Sequence, residues 1–148
     1  MQRPQSIYLA LAAVLMGLCI VFPYATADQS LAAAAPSIYA DGKLDYQDNM
    51  ALLVLPIVSA LLAIAAIFST SIKYKPSLYN WQRRLCYFAV ALALGTVAMA
   101  FYLFMNDTIS GTVGIAIILP VIATIFLLLT SRATTKDENI IRSSNRLR

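Results

Sequence analysis

Histidine is absent from the 148-residue chain, and with it the side chain that most often serves as general base or metal ligand near neutral pH. Charge is scarce as well, at 12% of residues against roughly 25% in a typical soluble domain. The few charges also avoid four long apolar runs altogether. A charge at membrane depth is costly and marks ion paths and proton relays, so its lack argues against a proton-coupled pump. No Ser, Thr, Tyr or Cys in those runs has a His or carboxylate beside it, and no nucleophile–base–orienter set can be assembled there. We therefore expect no enzyme, no catalytic residue, no cofactor and no bound metal. Asp41, Asp45 and Asp48 lack the alternate-residue spacing of a calcium loop and read as a solvated acidic segment. The only two cysteines, Cys19 and Cys86, fall at different depths of different runs. A disulfide needs Cα atoms within about 7 Å, so the sequence predicts two small packing residues instead.

What the chain has in excess is apolar surface: 60% hydrophobic residues and a mean hydropathy of +0.74. It gathers in runs at about 6–24, 50–72, 85–105 and 112–130, each near the ~20 residues that a membrane-spanning helix needs. Tyr8, Phe22, Tyr24, Tyr74, Tyr79, Trp81, Phe101, Tyr102 and Phe104 fall near their ends, as interfacial aromatics do. The segments between the runs alternate in charge. Arg3 precedes the first run. The segment 28–49 holds Lys43 against Asp28, Asp41, Asp45 and Asp48, a net −3. The loop Lys73–Arg84 carries Lys73, Lys75, Arg83 and Arg84 with no acid, a net +4. The short turn 106–110 carries Asp107. The tail 131–148 has five cations against Asp137 and Glu138, a net +3. Basic segments stay cytoplasmic. The expected fold is therefore an all-α integral membrane four-helix bundle with both termini cytoplasmic, comprising a membrane domain at 1–130 and a basic cytoplasmic tail at 131–148.

Local signals add detail. Ala25-Thr26-Ala27 after a positive start and an apolar run also fits a signal-peptide cleavage site, but the run exceeds the usual ~7–15 residues, which favours an uncleaved span. Asp48 or Asn49 is placed to cap the second helix. Pro56 and Pro120 fall inside apolar runs and are expected to be tolerated within a packed bundle. Ser59 with Ala63, and Ala91 with Gly95, offer small faces for close helix contact. In the tail, Thr134 or Thr135 is expected to cap a short helix starting near Lys136, with Glu138 and Arg142 four residues apart and able to pair.

The net charge of +4 belongs to membrane-flanking segments. It points to the lipid bilayer and anionic lipid headgroups as partners, and not to nucleic acid. Arg83, Arg84, Arg142, Arg146 and Arg148 are the candidate contacts to lipid or protein, since guanidinium binds phosphate and carboxylate bidentately. Two function classes follow. The leading one is a non-enzymatic scaffold or accessory subunit binding other membrane or cytoplasmic proteins. The alternative is a small transport or channel protein acting as a homo-oligomer.

Three segments carry a resemblance. They are Gln2-Arg3-Pro4-Gln5-Ser6-Ile7-Tyr8-Leu9, the turn Asn80-Trp81-Gln82-Arg83-Arg84-Leu85-Cys86, and the ending from Arg132 to Glu138 and from Arg142 to Arg148. Together they resemble an uncharacterised family of small four-span membrane proteins of Bacteroidota. The likeness covers nearly the whole chain, and the arginine-rich ending is its most specific part. Asn145 stands where that family typically has Asp. The resemblance implies an uncleaved first span and a multi-pass position in the bacterial cytoplasmic (inner) membrane, and it implies no activity.

Overall fold

The structure, a computed structural model, describes residues 4–27, 41–71, 76–106 and 111–145. Arg3, Lys73, Lys75, Asp107, Arg146 and Arg148 lie outside the described residues, as does the side chain of Arg142. The described residues form four α-helices: α1 Pro4–Leu18, α2 Met50–Ser71, α3 Pro76–Asn106 and α4 Ile118–Asn145. The all-α expectation holds, and α2, α3 and α4 are each long and apolar enough to cross a membrane.

Several helix ends differ from the sequence expectation, each for a local reason. The basic segment Lys73–Arg84 is a loop only in part, because α3 already begins at Pro76. Proline suits the first helical position, where its missing N–H would have no partner anyway and its φ is preset. Pro4 opens α1 in the same way. The helix that carries the first apolar run is only 15 residues long, about 22 Å, and the chain turns at Cys19–Phe22 ahead of Pro23. At the other end of the chain, 131–145 is not a separate tail segment but the continuation of α4. Of the two capping candidates, Asn49 caps α2: its Oδ1 accepts from Ala51 N at 2.8 Å. The Asp48 carboxylate instead accepts from Asp45 N at 2.8 Å.

Each helix packs chiefly on two neighbours, in the ring α1–α2–α3–α4. The buried positions show how. On α1 they are Gln5, Leu9, Ala12 and Met16, continuing to Cys19. On α2 they are Leu52, Pro56, Ser59, Ala63 and Ala66. On α3 they are Tyr79, Gln82, Cys86, Ala89, Ala93, Thr96 and Ala100. All step alternately by three and four residues, the spacing that keeps one seam of a helix facing its partner. Most are small, so the backbones come close: Ser59 Oγ donates across the α2–α3 contact to the Ala89 carbonyl at 3.0 Å. The expected Ser59–Ala63 face is thus a real contact. The expected Ala91–Gly95 face is not the buried one. Ala91 is exposed, and a Cβ on Gly95 would reach only the flank of α2, at Leu55 Cδ1 3.9 Å away. Large side chains such as Leu61, Phe68, Phe88, Leu94, Ile125 and Leu128 point outward.

Both prolines are accommodated by groups that follow α1. Pro56 lies inside α2 and leaves the Leu52 carbonyl, four residues earlier, without its helical donor. The buried Tyr24 hydroxyl donates to that carbonyl at 3.3 Å. Pro120 proves to be in the first turn of α4 and not mid-span, a position where proline is tolerated. The carbonyl four residues before it, Ala116, has the Cys19 thiol 3.9 Å away, a weak donor shared with Leu15 O at 3.4 Å.

The remaining departure from a purely helical chain is a three-stranded antiparallel sheet, β2-β1-β3, of two-residue strands: β1 Ala25–Thr26, β2 Lys43–Leu44 and β3 Thr112–Val113. It ties the end of α1 to the segments that lead into α2 and α4. Tyr24 N donates to Leu44 O at 2.8 Å, and Gly114 N to Tyr24 O at 2.8 Å. The β1–β3 pair also joins the Thr26 and Thr112 hydroxyls at 2.8 Å. Gly114 is glycine for a steric reason: a Cβ there would meet Pro23 O at 2.3 Å and the Tyr24 carbonyl carbon at 2.9 Å. Both obstacles are backbone and cannot swing aside. Gly114→Ala should lower the stability of the detergent-solubilised protein by about 1–3 kcal/mol, the usual cost of overpacking. Gly17→Ala, in a helical site with nothing within 4 Å of the added Cβ, should be neutral or stabilising by about 0.5–1 kcal/mol. Thermal denaturation of the two variants checks the contrast.

Candidate functional site at the polar end of the bundle

At the end opposite the sheet the seams change chemistry. The first turn of α1 contributes Gln5 where the pattern set by Leu9 and Ala12 would put an apolar residue. The opening turns of α3 contribute Tyr79, Gln82 and Arg83. The late turns of α4 contribute Thr130, Ser131, Thr134, Asp137 and Glu138. Among these Gln5, Tyr79, Gln82, Thr130, Ser131, Thr134 and Glu138 are all buried. Burying so many polar groups is unfavourable unless they find partners.

Most do. The Gln5 amide nitrogen donates to the Asp137 carboxylate, and its amide oxygen accepts from the Thr134 hydroxyl at 3.5 Å. The single Thr134 hydrogen has a nearer alternative acceptor in its own helix, Thr130 O at 2.9 Å, and Thr130 donates in the same way to Phe126 O at 3.0 Å, a habit of threonine inside helices. Arg83 Nη1 lies 3.9 Å from Glu138 Oε2, the acid being 9% exposed in its side chain, while Nη2 donates to Asn80 Oδ1 at 2.8 Å. Together these contacts fasten α4 beyond Thr130 to the starts of both α1 and α3. Gln82 differs: it is 0% exposed, yet neither its Nε2 nor its Oε1 has a hydrogen-bond partner among the described residues.

The outer surface of the same end is basic and partly aromatic. Arg84, Arg132 and Lys136 are exposed, and Trp81 and Tyr87 are 55% and 53% exposed. An open groove of about 590 Å³ follows α4, lined by Arg132, Thr135, Lys136, Asn139, Ile140 and Ser143.

Arg83 turns toward Glu138, Arg84 faces outward, and Arg142 belongs to the backbone of α4. Thr134 and Thr135 do not cap a helix, because both are in the middle of α4. Glu138 faces Arg83 across the α3–α4 contact. Sequence reasoning missed Gln5, Gln82 and Thr134 as buried polar groups. Continuing the three-four seam backward from Leu9 and from Cys86, and forward from Thr130, would have found them. No group of three or more metal-ligating side chains occurs among the described residues.

Over residues 1–147 the chain matches the model of a family described as a domain of unknown function, DUF4293. The chain belongs to this family. No curated protein and no solved structure matches it. In this DUF4293 chain the polar end is where chemistry other than apolar packing is concentrated. Gln5→Leu keeps the volume but removes the donor to Asp137 and the acceptor for Thr134. It should cost about 1–3 kcal/mol, the range for buried bonds to a charged group, read as a lower thermal midpoint in detergent.

Proposed function

We propose that this DUF4293 chain is a four-span protein of the bacterial cytoplasmic membrane that works without catalysis, as a scaffold or accessory subunit. Its polar end would face the cytoplasm and bind a partner. The membrane setting is supported by the distribution of side-chain sizes. Water-soluble bundles bury their large apolar residues, whereas here Ala, Ser, Thr and Cys fill much of the interior and Leu, Ile, Val and Phe face outward. Lipid solvates the latter, and only close packing of small residues holds helices together in lipid. The first span would be retained, since α1 buries Leu9, Ala12 and Met16 against the bundle. It would complete its crossing through the turn and strand up to Thr26.

The observation that carries the docking reading is the surplus length at one end. With 31 residues in α3 and 28 in α4, these helices reach about 46 and 42 Å, against a hydrocarbon core of about 30 Å. The surplus is clamped by the Gln5–Asp137 and Arg83–Glu138 contacts, so it is presented as a rigid helical surface with cations outside. Exposed Ile140 between Lys136 and the arginines of the ending suits an acidic partner with an apolar spot, or anionic headgroups.

Two experiments test this reading. Cys19 and Cys86 are both buried, so an introduced cysteine is the thiol that a maleimide finds first. A membrane-impermeant maleimide applied to intact spheroplasts should label Gln47→Cys and spare Ser143→Cys, and the intact mass should retain residues 1–27. The reverse labelling would overturn the orientation. A photo-reactive maleimide on Ser143→Cys, activated in native membranes, should give one discrete protein adduct that weakens when Arg132 and Lys136 become Gln. Adducts to lipid alone would reject a protein partner, and adducts to a second copy would favour the oligomeric channel.

A further inference from the structure

Gln82 offers a buried donor and a buried acceptor, both unused among the described residues. Such a group costs about 1–3 kcal/mol if left bare. The surroundings are not apolar. The next residue, Arg83, approaches Glu138, so Gln82 sits on the α3 seam at the level of the α4 seam residues Thr134 and Glu138. Thr134 is 1% exposed and Glu138 7%. The Thr134 hydroxyl has one hydrogen, directed along α4 or to Gln5, and its oxygen retains accepting capacity. A carboxylate has about four lone-pair sites, so Glu138 accepts from water in addition to its contact with Arg83. On the α2 side, extending the Ser59–Ala89 contact in antiparallel register sets Ala66 against Gln82, a side chain with no polar atom to pair with the amide.

We propose that Gln82 holds resident water inside the bundle, bridging its amide to Thr134 and Glu138. Water is the smallest ligand that both accepts from an amide nitrogen and donates to an amide oxygen, so it serves both unused atoms of Gln82. A buried water typically makes about three such bonds, within a range of 2–4. Gln82 lies six residues into α3, about 9 Å along the axis, and one turn before the fully buried Cys86. The water marks the inner limit of the polar layer, beyond which the seams of α1, α2 and α3 are almost entirely apolar or small. A carboxylate and a guanidinium stand at its rim. The proposal rests on the packed polar end and not on the docking reading above.

The test is water-edited magnetic resonance on full-length protein labelled with ¹⁵N-glutamine, in lipid bilayers. There are five glutamines, and Gln82→Met identifies the Gln82 side-chain signal by its disappearance. The Gln82 amide should receive magnetisation from water yet exchange with added D₂O far more slowly than exposed Gln47. Thr134→Val should weaken the water transfer to Gln82 while leaving that of Gln47 unchanged. No transfer to Gln82 would show a dry amide and overturn the proposal. Exchange as fast as that of Gln47 would overturn it too, because the site would then be open to bulk solvent. An unchanged signal in Thr134→Val would remove α4 from the site. None of these outcomes depends on a partner or on an activity.

Discussion

Close approach of helix backbones is the constraint on which the rest of the bundle depends. In a bilayer the tails solvate leucine as well as another helix does, so burying large apolar groups gains little. Contact must come from backbones brought near enough for many weak attractions to act together. Ala63 against the α3 seam, with Ala89, Ala93 and Ala100 on that seam, provides this distance. The Ser59 bond to the Ala89 carbonyl is available only because the two helices lie so near. A packed helix interior leaves no water for an idle carbonyl, and Tyr24 and Cys19 end where they meet two such carbonyls. Each brings a donor to a carbonyl that a proline has freed, so the two proline-bearing helices are both fitted to the end of α1.

The polar end follows a different rule. There the seams admit Gln5, Gln82, Thr134 and Glu138, and three of these meet partners on another helix. These residues are still packed in three-four register, and the packing turns the α4 extension from a free tail into part of the bundle. The exposed cations Arg84, Arg132 and Lys136 are then held at set positions and not on a moving chain, which lowers the entropy lost when anything binds them.

Much of this was legible in the sequence, and what was not has identifiable causes. Hydropathy marked the apolar runs well, because a run without charge is unambiguous. It placed helix ends poorly, because polarity changes at Arg84 and Thr130 while helicity does not. Pro76 and the unbroken helix-forming stretch after Thr130 were the better guides. The seam of α3 was hidden among alanines, where Ala91–Gly95 and Ala89–Ala93 look alike and only a helix apolar on every side results. An amphipathic helix would have announced its inner face. The sheet was invisible for another reason: two residues per strand carry no alternation to read. Its only traces were Gly42, whose φ is 77°, and Gly114. Of the polar end, Arg83 and Arg84 were found by charge, whereas Gln5 and Gln82 were overlooked because neutral amides in a basic segment look like solvent-facing residues.

The sheet has a mechanical consequence. It laces three segments together through backbone hydrogen bonds, which neither salt nor mild acid disturbs. The other end is closed by carboxylates, amides and a guanidinium, and salt screens the charged groups among them. A structure fastened in this unequal way behaves like tweezers, with a stiff joint at one end and tips at the other. Any loosening of the helices would begin at the tips, spreading α4 away from α1 and α3, while the joint holds the four in register for reclosure.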